Sequence, residues 1–352
     1  MERDKMEIKK VERDEDLDII RAIAIIWVIA IHCMFWLGLF SSPTQQIIKS
    51  LFLIEMPLFF FVAGASNFLS VNKGLCEFWY KRIKRIIVPY WAYALISLVL
   101  IIDQSGHKPG LVLSWLNPFY GAISGEGKLQ YLTWALWFIP VYLLCMFFYP
   151  ILKKYYLAFD KHKTIQILPL ILLVFLLVMK EFYGWVIPQY RVILYLVFTY
   201  LGMYYNTLRN KKIIKVAGAV VFGGIAFVFW KLGLYSINML VNKDSANLMF
   251  LTYGLFAISI FFLAYPKIKK LILCFERWSI FSTIFNQYKK SGYTIYLFHP
   301  LAFAAIPFIL DYFGVYYYFP KVPSVILASI YFVLVIIISA FIGKILGKIE
   351  KI

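Results

Sequence analysis

The chain has 352 residues, 62% of them hydrophobic and 20% aromatic, with a mean hydropathy of +0.77 and a net charge of +18. That apolarity excludes a water-exposed globule and places the chain among polytopic membrane proteins. The basic residues are punctuated by apolar stretches and form no single patch, so the expected partner is the lipid bilayer and no nucleic acid.

The first apolar stretch runs from Asp18 to Phe40, DIIRAIAIIWVIAIHCMFWLGLF. A span needs about 20 apolar residues, and ionisable groups inside one point first to function. Arg21 and His32 are such groups. On a helix of about 100° per residue, their separation returns them to within about 20° of one face, about 16 Å apart along the axis. Asp18 lies near the same face. The stretch is too long for a secretory signal and lacks a small-residue cleavage site, so it reads as a retained span.

Ten spans are expected near 19–40, 47–70, 86–103, 131–152, 164–180, 190–207, 213–232, 246–265, 291–310 and 324–343. The fold class is therefore all-α, a helical bundle preceded by a lead-in over 1–18 and followed by a tail over 344–352. Five Lys or Arg precede the first span, and five, four and six occupy segments 71–85, 153–163 and 266–290. Segments 41–46, 104–130, 181–189, 233–245 and 311–323 carry at most two each. This alternation puts both termini in the cytoplasm by the positive-inside rule. Cys33 and Cys145 fall inside spans, and Cys76 and Cys274 in expected cytoplasmic loops, so no external disulfide is available. No metal-ligand cluster or Gly-rich phosphate loop occurs, and no metal is expected.

The second span contains EMPLFFFVAGA, with Glu55 about as far from the short external turn as His32, so the carboxylate and imidazole can stand level as partners. The loop NKGLCEFWYKRIKR follows. Arg82 and Arg85, three apart, share a helical face, and two readings are open: an anchor to anionic headgroups, or a site for a phosphorylated ligand, which guanidinium forks bind well. The external segment 104–130 carries HKPG, NP and GEGK turn signals and is a candidate to dip back toward the membrane as part of an acceptor site.

LTWALWFIPVYLL places Trp134 and Trp137 at the outer interface, where an aromatic belt is expected in any membrane protein. Spans five to eight carry no recognisable chemical motif and read as scaffold, with Glu181, Arg191, Lys243 and Asp244 as solvated or snorkelling groups at outer ends. The ninth, KKSGYTIYLFHPLAFAAIP, is different. It brings Ser291, Tyr293, Tyr296 and His299 into a span with Pro300 and Pro307, a composition that suits a distorted helix facing a cavity.

Taken in order, these segments resemble the membrane acyltransferase 3 superfamily, whose members include bacterial O-acetyltransferases for sugars and cell-wall polymers. DIIRAIAIIWVIAIH looks like its opening Asp-x-x-Arg with a later His, and EMPLFFFVAGA is similar to its MPLFFFLSGF signature. FWYKRIKRIIVPYW resembles its basic segment before a proline, LWFIPVYLL its LWFL segment, and SGYTIYLFHP its closing Ser-Tyr-x-x-Tyr-Leu-x-His-Pro. Ala63 stands where the family commonly has Ser. No esterase-like domain follows Ile352, which implies that transfer is completed in the membrane domain or handed to a separate envelope biosynthesis protein.

The resemblance implies that acetyl-CoA or another acyl-CoA is used in the cytoplasm, and that the acyl group appears on a hydroxyl of a cell-envelope carbohydrate or glycolipid at or beyond the outer face of the plasma membrane. It implies Arg82, Arg85 and Arg21 as coenzyme-binding residues, and His32 as general base or acyl carrier with Glu55 or Asp18 to orient it. His299 joins this catalytic set, and Trp137, Ser291, Tyr293 and Tyr296 are candidate substrate-binding residues. The alternative is a transporter or exporter of a lipid-linked or small polar solute, with the buried Arg, His and Glu as its pathway. The ordered motif series discriminates against it.

Overall fold

The computed structural model describes residues 14–37, 42–70, 74–105, 111–119, 132–133, 135–184, 190–314 and 324–351. Within them the chain is helical and contains no strand. The elements are α1 Glu15–Trp36, α2 Pro43–Ser50, α3 Glu55–Leu69, α4 Leu75–Ser105, α5 Leu111–Leu116, α6 Phe138–Ala158, α7 Lys163–Gln166 and α8 Leu168–Tyr183. They continue with α9 Tyr190–Leu201, α10 Tyr205–Asn210, α11 Lys212–Lys231, α12 Met239–Ser245, α13 Leu248–Phe275, α14 Ser279–Lys290, α15 Gly292–Tyr312 and α16 Ser324–Leu346. Short 3-10 turns occupy Gly202–Tyr204 and Gly347–Lys351.

Nine helical segments among the described residues are long and apolar enough to cross a membrane. The expected spans correspond to them except for 190–207. That region is helical but stepped, because the 3-10 turn Gly202–Tyr204 separates α9 from α10. The step lies where α9 meets α3 backbone to backbone. A Cβ on Gly64 would sit 1.9 Å from the Thr199 carbonyl oxygen, and one on Gly202 would sit 2.2 Å from that of Phe61. Glycine at both positions is what permits the approach, as small residues do between membrane helices generally. The glycine of the EMPLFFFVAGA motif is thus a packing residue.

Several helices run past the expected span boundaries, most of all at the start of α4 and the end of α13. The basic segment after the second span is no loop, since α4 begins at Leu75 and carries FWYKRIKR as its first turns. Cys76 accordingly lies on α4 and Cys274 in the last turn of α13, both exposed, while Cys33 and Cys145 are buried. The charged ends of these helices continue the backbone hydrogen bonding past the apolar part, which satisfies more peptide groups than a loop would. Of the external segment, α5 and Asn117 do fold back along α4: the Tyr90 hydroxyl donates to the Trp115 carbonyl at 2.5 Å, and the Trp115 indole donates to that of Ala94 at 3.0 Å. The HKPG and GEGK signals, Trp134 and the first thirteen residues lie outside the described residues.

The centre of the bundle is α1, which touches α3, α14, α15 and α16. Asp14 caps it by accepting from the Leu17 N–H at 3.2 Å, and its first turn is acidic, as the helix dipole favours. One of those acids was not anticipated. Asp16 is buried and receives Arg209 and Lys269 at 2.6 Å each and the Tyr265 hydroxyl at 2.9 Å. This network fastens the start of α1 to α10 and α13, so a buried carboxylate keeps two compensating cations.

Candidate functional site

At the end of the bundle where α1 begins, residues of α1, α3, α4, α6, α14 and α15 line a cleft of about 670 Å³, its open mouth included. Its wall carries five cations: Arg21, Arg82, Arg85, Lys289 and Lys290. Arg82 and Arg85 stand one turn apart on α4, as their spacing predicts. The two lysines were not anticipated as site residues. They enter because α14 ends and α15 begins at the cleft rim, so the basic last turn of one helix meets the N-terminus of the next.

Arg21 is held from two sides. Its guanidinium donates to Asp18 at 3.1 Å and to the Ser66 hydroxyl at 2.8 Å. Ser66 was missed in the sequence. The hydroxyl that Ala63 lacks is supplied one turn later on α3, and both residues line the cleft. Tyr293 also lines it, with its hydroxyl donating to the Ile86 carbonyl at 3.1 Å. Ser291 is turned elsewhere, into the packing of Gly343 and Gly347, and is not on the cleft wall.

Eleven residues beyond Arg21 on α1, His32 meets His299 of α15, Nδ1 to Nε2 at 2.7 Å. His299 is fully buried, and its Nδ1 lies 2.5 Å from the Tyr296 carbonyl oxygen. A carbonyl only accepts, so His299 Nδ1 carries the hydrogen; in the neutral ring its Nε2 is then an acceptor, and His32 Nδ1 must donate to it. The chain of bonds therefore fixes the tautomer of neutral His32 with its lone pair on Nε2, the form a general base requires. Trp36 stacks on His299 with ring centroids 5.3 Å apart, and Tyr296 donates to the Ala135 carbonyl at 2.7 Å.

Glu55 opens α3 in its first turn, and Arg21 and Ser66 bond across the antiparallel pair α1 and α3. Counting eleven residues from that bond along each helix reaches His32 and Glu55, so the two stand at equal depth, about 16 Å from the cleft arginine. The contact seen for the carboxylate is an ion pair with Lys243 at 3.5 Å. Lys243, on α12, is a correction to the sequence reading. Its side chain is only 14% exposed, and its ammonium also stands 5.3 Å from the centre of the Trp137 ring, so it is neither solvated nor snorkelling. Arg191 lies 5.7 Å from the same ring and pairs with the exposed Asp244 at 3.9 Å, while Glu181 accepts from the Leu248 N–H at 3.1 Å. Trp137 thus sits in a charged cluster. Among the described residues, Glu55 Oε2 and the Tyr195 hydroxyl are buried there without a hydrogen-bond partner.

The arrangement combines a cleft lined by cations, a histidine pair deep in the bundle and a half-satisfied carboxylate beside an aromatic ring. No curated protein and no solved structure matches the chain. The family model described as an acyltransferase domain matches residues 14–344, which take in α1 through most of α16 and every site residue named above, and by that match the chain belongs to the acyltransferase 3 family.

Proposed function

We propose that this protein is a multi-pass O-acyltransferase of the plasma membrane, moving an acyl group, acetyl in the simplest case, from cytoplasmic acyl-CoA to a hydroxyl of a cell-envelope carbohydrate or glycolipid. The observation that carries the reading is continuity. One helix, α1, presents Arg21 to a cationic cleft and His32 to a buried partner that fixes its tautomer. The cleft suits the phosphates of a coenzyme, with Arg82 and Arg85 as forks and the lysines as point charges. The pantetheine arm then spans the roughly 16 Å to the histidine pair.

In the transfer, His32 Nε2 takes the proton of the acceptor hydroxyl as its oxygen attacks the thioester carbonyl. The C–O bond forms, the C–S bond breaks, and the proton passes to the departing sulfur, giving an ester and free coenzyme A. The acyl-carrier variant moves the group onto His32 first, with the same balance. The acceptor stands against Trp137 and Glu55, whose Oε2 lacks a donor that an acceptor hydroxyl supplies. Envelope biosynthesis proteins that make or export the acceptor are the expected partners. The test is release of free coenzyme A by purified protein given acetyl-CoA, together with mass spectrometry of envelope glycans from cells with and without it. A mass difference of one acyl group supports the reading. No coenzyme A release and identical glycans overturn it.

A further inference from the structure

The last residues of the chain lie beyond the family match, which ends at residue 344. They are no solvent-borne tail. The 3-10 turn Gly347–Lys351 packs against α4, α15 and α16. A Cβ on Gly347 would fall 2.1 Å from the Ser291 hydroxyl, so glycine there permits the docking, and one on Gly343 would fall 2.7 Å from Cγ1 of Ile295, where α16 packs closely on α15. The docking carries Glu350 beneath the bundle, where it is 6% exposed. One carboxylate oxygen accepts from the backbone N–H of Thr294 in the first turn of α15, and the other lies 3.8 Å from Nη2 of Arg85.

We propose that Glu350 is a positioning residue for the acyl-donor site, holding the Arg85 guanidinium toward the cleft and fixing the first turn of α15, where Gly292 and Tyr293 form part of the cleft wall. The proposal rests on the reading of that cleft as the acyl-CoA site. Its physical basis is twofold. The first N–H groups of a helix have no intrahelical partner, and the positive end of the helix favours a carboxylate. Arg85, partly exposed, also shares the cleft with four other cations that repel it. A fixed carboxylate behind the guanidinium offsets that repulsion and keeps the long side chain from turning out to solvent.

The sign of the effect separates this role from a general field. Removing a negative charge beside a cationic cleft would tighten binding of a polyanion, whereas loss of support for Arg85 weakens it. Glu350→Gln is expected to raise KM for acetyl-CoA about threefold, the size of one partly exposed ion pair, with kcat nearly unchanged. If the support acts through Arg85, adding Glu350→Gln to Arg85→Gln brings no further rise. A chain ending at Leu346 retains the sequence of all sixteen helices of the described residues and is expected to show the same rise in KM, which covers the case of a poorly inserted point variant. A KM at or below that of the wild type in Glu350→Gln or in the shortened chain, or a further rise of the same size in the double variant, overturns the proposal. Those outcomes require a working wild-type enzyme, so they are distinct from a wild-type protein that releases no coenzyme A, which overturns the proposed function itself.

Discussion

The two ends of the bundle are electrostatically unlike. At the end bearing the start of α1, five cations converge on one open cleft, and Asp18, Glu276 and Glu350 pair with three of them, which leaves a positive surplus. At the other end, the cations around Trp137 stand opposite carboxylates: Lys243 opposite Glu55, and Arg191 opposite Asp244. A surplus attracts a polyanion from a distance and is weakened by salt, while balanced pairs exert little long-range field. On the proposed function, the donor is then selected by charge, and the acceptor by hydrogen bonds and aromatic surface. That is the balance expected for a neutral, hydroxyl-rich acceptor. The histidine pair is what joins the two ends.

The largest effect is expected at that joint. His32→Ala should lower acyl transfer about a thousandfold, in the range of general acid–base contributions, while KM for acetyl-CoA stays near that of the wild type. His299→Ala should fall between the wild type and His32→Ala, because it removes the bond that sets the tautomer and leaves the base. The double variant should be no slower than His32→Ala alone, since the two act as a unit. Coenzyme A release under single-turnover conditions reads all three. Full activity in His32→Ala would separate the two ends and remove the proposed route between them.

Next in size is the balance at the Trp137 end. Lys243→Met strands the Glu55 carboxylate among buried groups, and loss of one partner of such a pair costs about 3 kcal/mol or more. Adding Glu55→Gln should restore most of that stability, because no unpaired charge remains. Thermal unfolding in detergent measures both. An unchanged midpoint in Lys243→Met would mean that the pair is solvated and the ends less different than their geometry indicates.

How much of this was legible in the sequence depends on the distance over which each residue acts. Arg21, His32, Arg82 and Arg85 were readable because helical periodicity alone puts each pair on one face. The helical class and most spans followed from hydropathy for the same local reason. The step at Gly202 was not readable, since it arises from α3 pressing on α9 and nothing in YLGMYY announces it. Lys243 looked like any lysine at a span end, and its burial depends on α12 folding under Trp137. Glu350 sat in a short basic tail, and only the glycine contacts of the folded chain bring it to Thr294. His299 was recognised as a candidate, but its bond to His32 joins residues 267 positions apart. Ser66 carried a faint signal, a hydroxyl one helical turn after the position where Ala63 lacks one.

The finest test of the difference between the ends uses two single hydroxyls. Ser66→Ala removes the 2.8 Å bond to Arg21 and leaves Asp18 to hold the guanidinium. A net hydrogen bond is worth about 1 kcal/mol, so KM for acetyl-CoA should rise about fivefold, with the acceptor KM unchanged. Tyr195→Phe removes a buried hydroxyl that has no hydrogen-bond partner among the described residues. Without ligand, that loss should leave stability equal or raise it by up to about 1 kcal/mol, because an unsatisfied buried group is destabilising. In the enzyme at work it should raise the acceptor KM and leave the donor KM alone. Steady-state kinetics with each substrate varied in turn separate the two variants. A rise in the same KM for both would show that donor and acceptor share one pocket, and the assignment of charge to one end and hydrogen bonding to the other would fail.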